Sequence, residues 1–126
     1  MLFFPGTWKA EITALNHKEQ ISEKMGTELI CVKDAITDPE GLTSTFLDKY
    51  LKAQCTLSPI EGGLRYGVWM YDTTMTCGAL SGAVKIAGGE DEVQISVKLS
   101  GNVGGVEVGK DASTKFNWQQ VSDSCQ

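Results

Sequence analysis

The feature that most restricts how this chain can fold is its set of four cysteines, Cys31, Cys55, Cys77 and Cys125, the last of them one residue short of the C-terminus in the polar run "SDSCQ". No CxxC pair occurs among them, whereas structural zinc usually takes its ligands as close pairs that set half the tetrahedron locally. Two disulfides are therefore expected, and no metal site. Such bonds must bring the tail back against the body of the chain. Four cysteines allow three pairings, and sequence does not choose between them. Pairing in sequence order, Cys31 with Cys55 and Cys77 with Cys125, is the favoured expectation: one bond would close a loop around a short helix, and the other would tie the tail to the end of a long strand. On the chain-entropy account, loops of these lengths contribute about 3 to 4 kcal/mol each.

Disulfides persist in oxidising compartments, so the mature protein is expected in a periplasm, in an endoplasmic reticulum lumen or outside the cell, with the periplasm or cell envelope, reached by export, as the favoured location. The start "MLFFPG" has no basic n-region and is far too short to cross a membrane, so a signal peptide is expected to have been removed and no transmembrane segment is expected. Asn16, Asn102 and Asn117 are followed two residues on by Lys, Gly and Gln, so none lies in a glycosylation sequon. That gives the eukaryotic secretory route no support and leaves a bacterial envelope open.

The 126 residues suit a single domain spanning 1–126, with enough apolar content for one core. Sixteen acidic against eleven basic residues give a net charge of -5, and no basic cluster is long enough to track a phosphate backbone. Nucleic acid is excluded as an expected partner. A monomer is expected.

Period-two patterning dominates the chain. In "VQISVKL", Val93, Ile95, Val97 and Leu99 face one way and Gln94, Ser96 and Lys98 the other. "TWKAEITA", "LSGAVKI" and "KFNW" alternate similarly, placing Trp8, Ala10, Ile12, Val84, Ile86, Phe116 and Trp118 on apolar faces. "TELICVK" and the run 64–77 are strand-like through β-branched and aromatic content. Glycine-containing clusters at 61–63, 87–91 and 100–105 predict hairpins. Helical spacing is confined to "TSTFLDKYLK", where Phe46, Leu47, Tyr50 and Leu51 share a side, Thr43 or Ser44 can cap the start, and Asp48 stands four before Lys52. The preceding "DPEG" has the residue order of a type I turn. The fold class is mainly β: a curved antiparallel sheet or barrel-like meander of about seven strands, with one short helix around 44–52, stapled by two disulfides.

The order "PGTW", "CVKDA", "QCTL", "VWMYDTTMTC" and a terminal cysteine resembles the bacterial envelope family known as domain of unknown function 3617. The resemblance runs from Pro5 to Cys125 and rests on the spacing of Trp8, Cys31, Cys55, Trp69, Cys77 and Cys125. It implies a small exported protein with a removable signal peptide. It brings no catalytic motif and no ligand. The polar segment "NHKEQISEK" between the first two strands departs from the pattern.

Catalytic constellations are weak. His17 is the only histidine and sits in a polar loop, without a pattern that supplies a nucleophile. Glu90, Asp91 and Glu92 fall at a hydrated hairpin tip, a poor setting for a carboxylate acid–base pair. "GGVEVGKD" has the glycines and lysine of a phosphate loop, but Asp111 replaces the hydroxyl residue and a strand follows in place of a helix. Neither an enzyme nor a cofactor is expected. The leading expectation is a non-catalytic binding or accessory protein. One alternative is a carrier of a small lipophilic ligand in an aromatic-lined cavity, with Trp69 and Tyr71 lining it and Tyr66 and Arg65 at its mouth. Another is an inhibitor or protein-partner module acting through an edge strand or apolar patch.

Overall fold

Alternating apolar and polar residues lay most of the chain into one sheet, seen in a computed structural model that describes residues 2–125. Its strands are β1 (Gly6–Asn16), β2 (Ile21–Val32), β3 (Thr56–Leu57), β4 (Glu61–Arg65), β5 (Val68–Cys77), β6 (Leu80–Gly89), β7 (Glu92–Val97), β8 (Ser100–Val103), β9 (Val106–Val108) and β10 (Ala112–Ser122). They form an antiparallel sheet of ten strands with the order β2-β1-β10-β7-β6-β5-β3; β4 also pairs with β5, and β8 with β6 and β9. The sheet stays open. The last strand is inserted between β1 and β7, so the fold is not a simple meander.

Two strand assignments differ from the sequence expectation. The run 64–77 is a hairpin, because Tyr66 and Gly67 both take positive φ, 54° and 79°, between the paired residues Arg65 and Val68. Positive φ at both central positions matches the right-handed twist of the flanking strands. The glycines at 61–63, read as a turn, belong to β4 instead. At Gly62, a Cβ would lie 2.0 Å from the Met70 carbonyl oxygen, so the glycine permits close pairing with β5. These divisions, with the short β3, β8 and β9, raise the strand number above seven.

The helical segment also starts earlier. Asp38 caps α1 (Pro39–Phe46), its carboxylate accepting from the Gly41 amide at 2.6 Å, and Pro39 occupies the first turn, where a missing N–H costs nothing. "DPEG" is thus a helix start. Thr43 and Ser44 lie inside α1 and donate their hydroxyls back to carbonyls of the preceding turn. The buried Leu47 leaves helical geometry at φ -110° and ψ 18°, and α2 (Asp48–Lys52) follows. Lys52 meets Asp48 at 2.9 Å, the expected pair one turn apart.

The disulfides are Cys31–Cys125 and Cys55–Cys77, with Cα separations of 5.4 and 4.3 Å. This corrects the sequence-order pairing, and strand order explains why. Thr7 of β1 lies opposite both Cys31 of β2 and Ser122 of β10, so the tail beyond β10 needs only to cross β1 to reach Cys31. Thr56 faces Thr76, which sets Cys55 beside Cys77 one position on. The first bond is exposed at the sheet's edge; Cys55 of the second is buried.

One face of the sheet carries the core. Trp8, Ala10, Tyr71, Met75, Val84, Ile86, Val93, Ile95, Val97, Phe116 and Trp118 meet Leu42, Phe46 and Leu47 of the helical segment. The Phe46 ring lies 5.2 Å from Trp8, 5.4 Å from Trp118 and 6.4 Å from Phe3. Trp8 donates its indole N–H to the Phe4 carbonyl at 2.9 Å, while the Trp118 indole N–H has no acceptor among the described residues.

Two stability outcomes are expected. Replacing Cys31 and Cys125 together by serine removes the constraint on the longer loop and costs about 4 to 5 kcal/mol, against about 3 kcal/mol for the Cys55 and Cys77 pair. Denaturant midpoints of the two double variants check the order, and equal or reversed losses count against the entropic account. Phe46→Ala should lower stability by about 3 to 5 kcal/mol, since three aromatic neighbours lose their common partner; a loss below about 1 kcal/mol in thermal unfolding would show the cluster to be loosely packed.

Candidate functional site

The aromatic residues singled out from sequence are not gathered into one site. Tyr71 is buried on the inner face, and Trp69, on the same face, is half-buried with its ring 3.6 Å from where a Cβ on Gly89 would stand. Tyr66 stands at the tip of the β4–β5 turn, wholly exposed, with exposed Arg65 before it. Trp69 and Tyr71 therefore lie on the inner face, and Tyr66 and Arg65 at the exposed hairpin tip. The interior they were expected to line is filled by Phe3, Trp8, Phe46 and Trp118 packed ring against ring.

The hairpin tip at Glu90, Asp91 and Glu92 is held by backbone bonds instead. Glu90 donates to the Leu2 carbonyl and accepts from the Phe4 amide, and the Asp91 carbonyl accepts from Gln120. Its three carboxylates are exposed. "GGVEVGKD" forms the turn and second strand of the β8–β9 hairpin, and β10 follows it. Among the described residues no group of His, Cys, Asp and Glu is placed to hold a metal ion.

His17 does acquire a partner. Its Nε2 lies 2.8 Å from Oγ of Ser113, and its backbone amide donates to the Asp111 carbonyl, which folds the β1–β2 turn over the start of β10. Ser113 is 8% exposed although its position in the strand belongs to the wet face. Hydroxyl and imidazole are present; among the described residues no carboxylate or carbonyl bonds the other ring nitrogen. A hydroxyl nucleophile also needs an orienting group and donors for a developing oxyanion. The pair therefore reads as a polar wall.

That wall borders a groove across the wet face. One part, about 630 Å³, lies between Lys9, Glu11 and Val121 on one side and Val68 on the other. The second, about 520 Å³, extends past Met70, Lys85, Lys98 and Lys115 to Leu15, His17 and Ser113. The two share Ala87 and Gln94 in their lining, so they adjoin. Gln94 donates to the Asn117 side chain at 2.7 Å, which holds two of the groove residues in place.

Strand register explains the lysines. Ser96 of β7 faces Lys85 of β6 on one side and Lys115 of β10 on the other. Lys98 continues the same face, with its amide bonded to the Ala83 carbonyl. Directly opposed residues in such ladders have Cβ atoms about 5 Å apart, and diagonal ones about 7 to 8 Å. Three lysines thus share one patch of the wet face with Ser96 and Ser113. The ion pairs among the described residues are Lys49–Glu28 and Lys52–Asp48, and neither involves these lysines. Asp72, opposite Lys85, is the one acidic residue in this part of the groove. Sequence reading recognised Ser96 and Lys98 as wet-face residues, but their neighbours come from strands separated in sequence. The available signal was a lysine at an outward position in each of "AVKI", "SVKL" and "STKF".

The inner face has its own polar margin. The Lys49 ammonium lies 4.5 Å from the Phe116 ring centroid and 3.9 Å from a Glu28 carboxylate oxygen, beside Tyr50. Burial, and then the Glu28 charge, push the Tyr50 phenol above its ordinary pKa of 10. No protein-family model, curated protein or solved structure matches the chain. The family resemblance accordingly rests on the order and spacing of the tryptophans and cysteines alone.

A raised phenol pKa stabilises the fold while the group is neutral, so this contribution is complete below pH 10 and is lost as pH rises through the folded-state value. Tyr50→Phe should consequently lose less stability than the parent between about pH 9 and about pH 11. Urea midpoints at the two pH values check this; parallel losses would show that Tyr50 titrates as it does in the unfolded chain.

Proposed function

We propose that the chain is an exported, non-catalytic binding or accessory domain of the bacterial periplasm or cell envelope, and that it works through the groove on the wet face of its sheet. The groove carries this reading: the inner face is taken up by its own helices and aromatics, whereas the outer face leaves a depression large enough for a small ligand. The two disulfides suit an oxidising compartment, and among the described residues no helix is long and apolar enough to cross a membrane. The family resemblance supports the bacterial setting. The carrier alternative keeps its physical sense when moved from the aromatic interior to this outer surface.

A second reading has its own observation. β2 pairs with β1 on one edge only and exposes Ile21, Met25 and Leu29 along its length. Such an edge suits strand addition by a protein partner.

Native mass spectrometry of the protein isolated, disulfides intact, from its own envelope separates the two. A retained small molecule is expected, and it should be lost in Ala87→Trp, which fills the floor shared by both parts of the groove. If the parent protein carries only its own mass, the groove reading fails and the edge-strand reading takes precedence.

A further inference from the structure

Resting on the groove as the binding surface, we propose that its lysine-lined part receives the phosphate monoester headgroup of an anionic amphiphile, with the apolar chain lying toward Met70 and Ala87. The first ground is electrostatic. Lys85, Lys98 and Lys115 are set around Ser96 on three adjacent strands and face a single aspartate, in a chain whose net charge is -5. The three positive charges share one face of the sheet, and Lys115 is half-buried with no ion-pair partner among the described residues. An anion between them offsets that charge and accepts several charge-assisted hydrogen bonds at once. Three cations match a dianionic phosphate monoester better than a single-charge carboxylate.

The second ground is the polar wall. Ser113 is more than nine-tenths buried, and its hydroxyl is held by His17 at the margin of the same groove. A serine hydroxyl has one hydrogen and two acceptor lone pairs. When the imidazole nitrogen donates to it, the hydroxyl hydrogen is free for a phosphate oxygen. Ser96 offers a further hydroxyl between the lysines.

The third ground sets an amphiphile apart from free phosphate. Leu15, Met70, Ala83 and Ala87 line the same part of the groove, and Met70 remains 41% exposed without a ligand. A small inorganic ion would leave that apolar surface wet. A short acyl chain would cover it, with the lysine stems as sides.

The test uses the oxidised full chain, labelled with nitrogen-15, and dihexanoyl phosphatidic acid below its micelle concentration. Saturable binding is expected, with amide shifts centred on Lys85, Ser96 and Lys115, and the affinity should drop about tenfold or more in K85Q/K98Q/K115Q. K85R/K98R/K115R keeps the charges and should retain binding; both variants should keep the parent's unfolding midpoint within a few degrees. If the glutamine variant fails to fold, loss of binding on raising salt from about 50 to about 300 mM in the parent protein replaces it as the readout. Absence of saturable binding, or binding unchanged by charge removal or salt, overturns the proposal. So does inorganic phosphate binding as tightly as the lipid, or dihexanoyl phosphatidylcholine doing so. A neutral molecule retained in native mass spectrometry and lost in Ala87→Trp would leave the groove reading standing while removing the phosphate headgroup.

Discussion

The ladder that β10 makes with β1 on one side and β7 on the other is the constraint from which the rest of this fold follows. Without it, the hairpin β1–β2 and the strand run β4 to β7 would be separate pieces, each with one apolar face in water. Ten residue pairs in register with β1 and six with β7 join them into one sheet. The same insertion puts Trp118 beside Ala10 and Val93, completes the aromatic cluster around Phe46, and delivers the tail to the end of β2. The Cys31–Cys125 bond then fastens a ladder whose two partners come from opposite ends of the chain. Contacts so distant in sequence are entropically expensive to form, and a covalent closure removes part of that expense from the unfolded state.

From this single sheet comes a division of labour between faces. Period-two alternation commits each residue of β10 to one side: Phe116 and Trp118 to the core, Ser113, Lys115 and Asn117 to the groove. The helices anchor only the first side. Their capping aspartate and first-turn proline hold a short element that could not persist alone, and Phe46 and Leu47 bury it against the strands. The second side has no such cover. Its small residue Ala87 keeps the floor low while longer side chains stand at the margins.

How much of this was legible in the sequence depended on whether the signal was local. The strands around Trp8, Val84, Val93 and Trp118 could be read because alternation within seven residues decides which side faces the core. The hairpin at Tyr66 and Gly67 was missed because both flanking segments carry apolar groups, so nothing marked the turn except the single glycine beside a tyrosine in left-handed geometry. The helix start at Asp38 was hidden by an order that suits a turn equally well. The disulfide pairing followed strand order, which is not sequence order, and so Cys31 bonds Cys125, 94 residues away, and encloses the Cys55–Cys77 bond. The groove was invisible for the same reason: Lys85, Lys98 and Lys115 become neighbours only when β10 has entered beside β7.

The shared strands also decide how well the groove can hold a shape. A binding surface built on loops loses conformational entropy when a ligand orders it, whereas side chains on packed strands have their backbones already fixed. Here Lys115 precedes Phe116, and Ser96 stands between Ile95 and Val97; those three neighbours are clamped in the core. The lysine positions are consequently set by hydrophobic packing on the opposite face, even though the lysine heads themselves stay mobile. Loosening the aromatic cluster should therefore weaken the groove before the sheet itself melts, because curvature across β6, β7 and β10 depends on what fills the inner side.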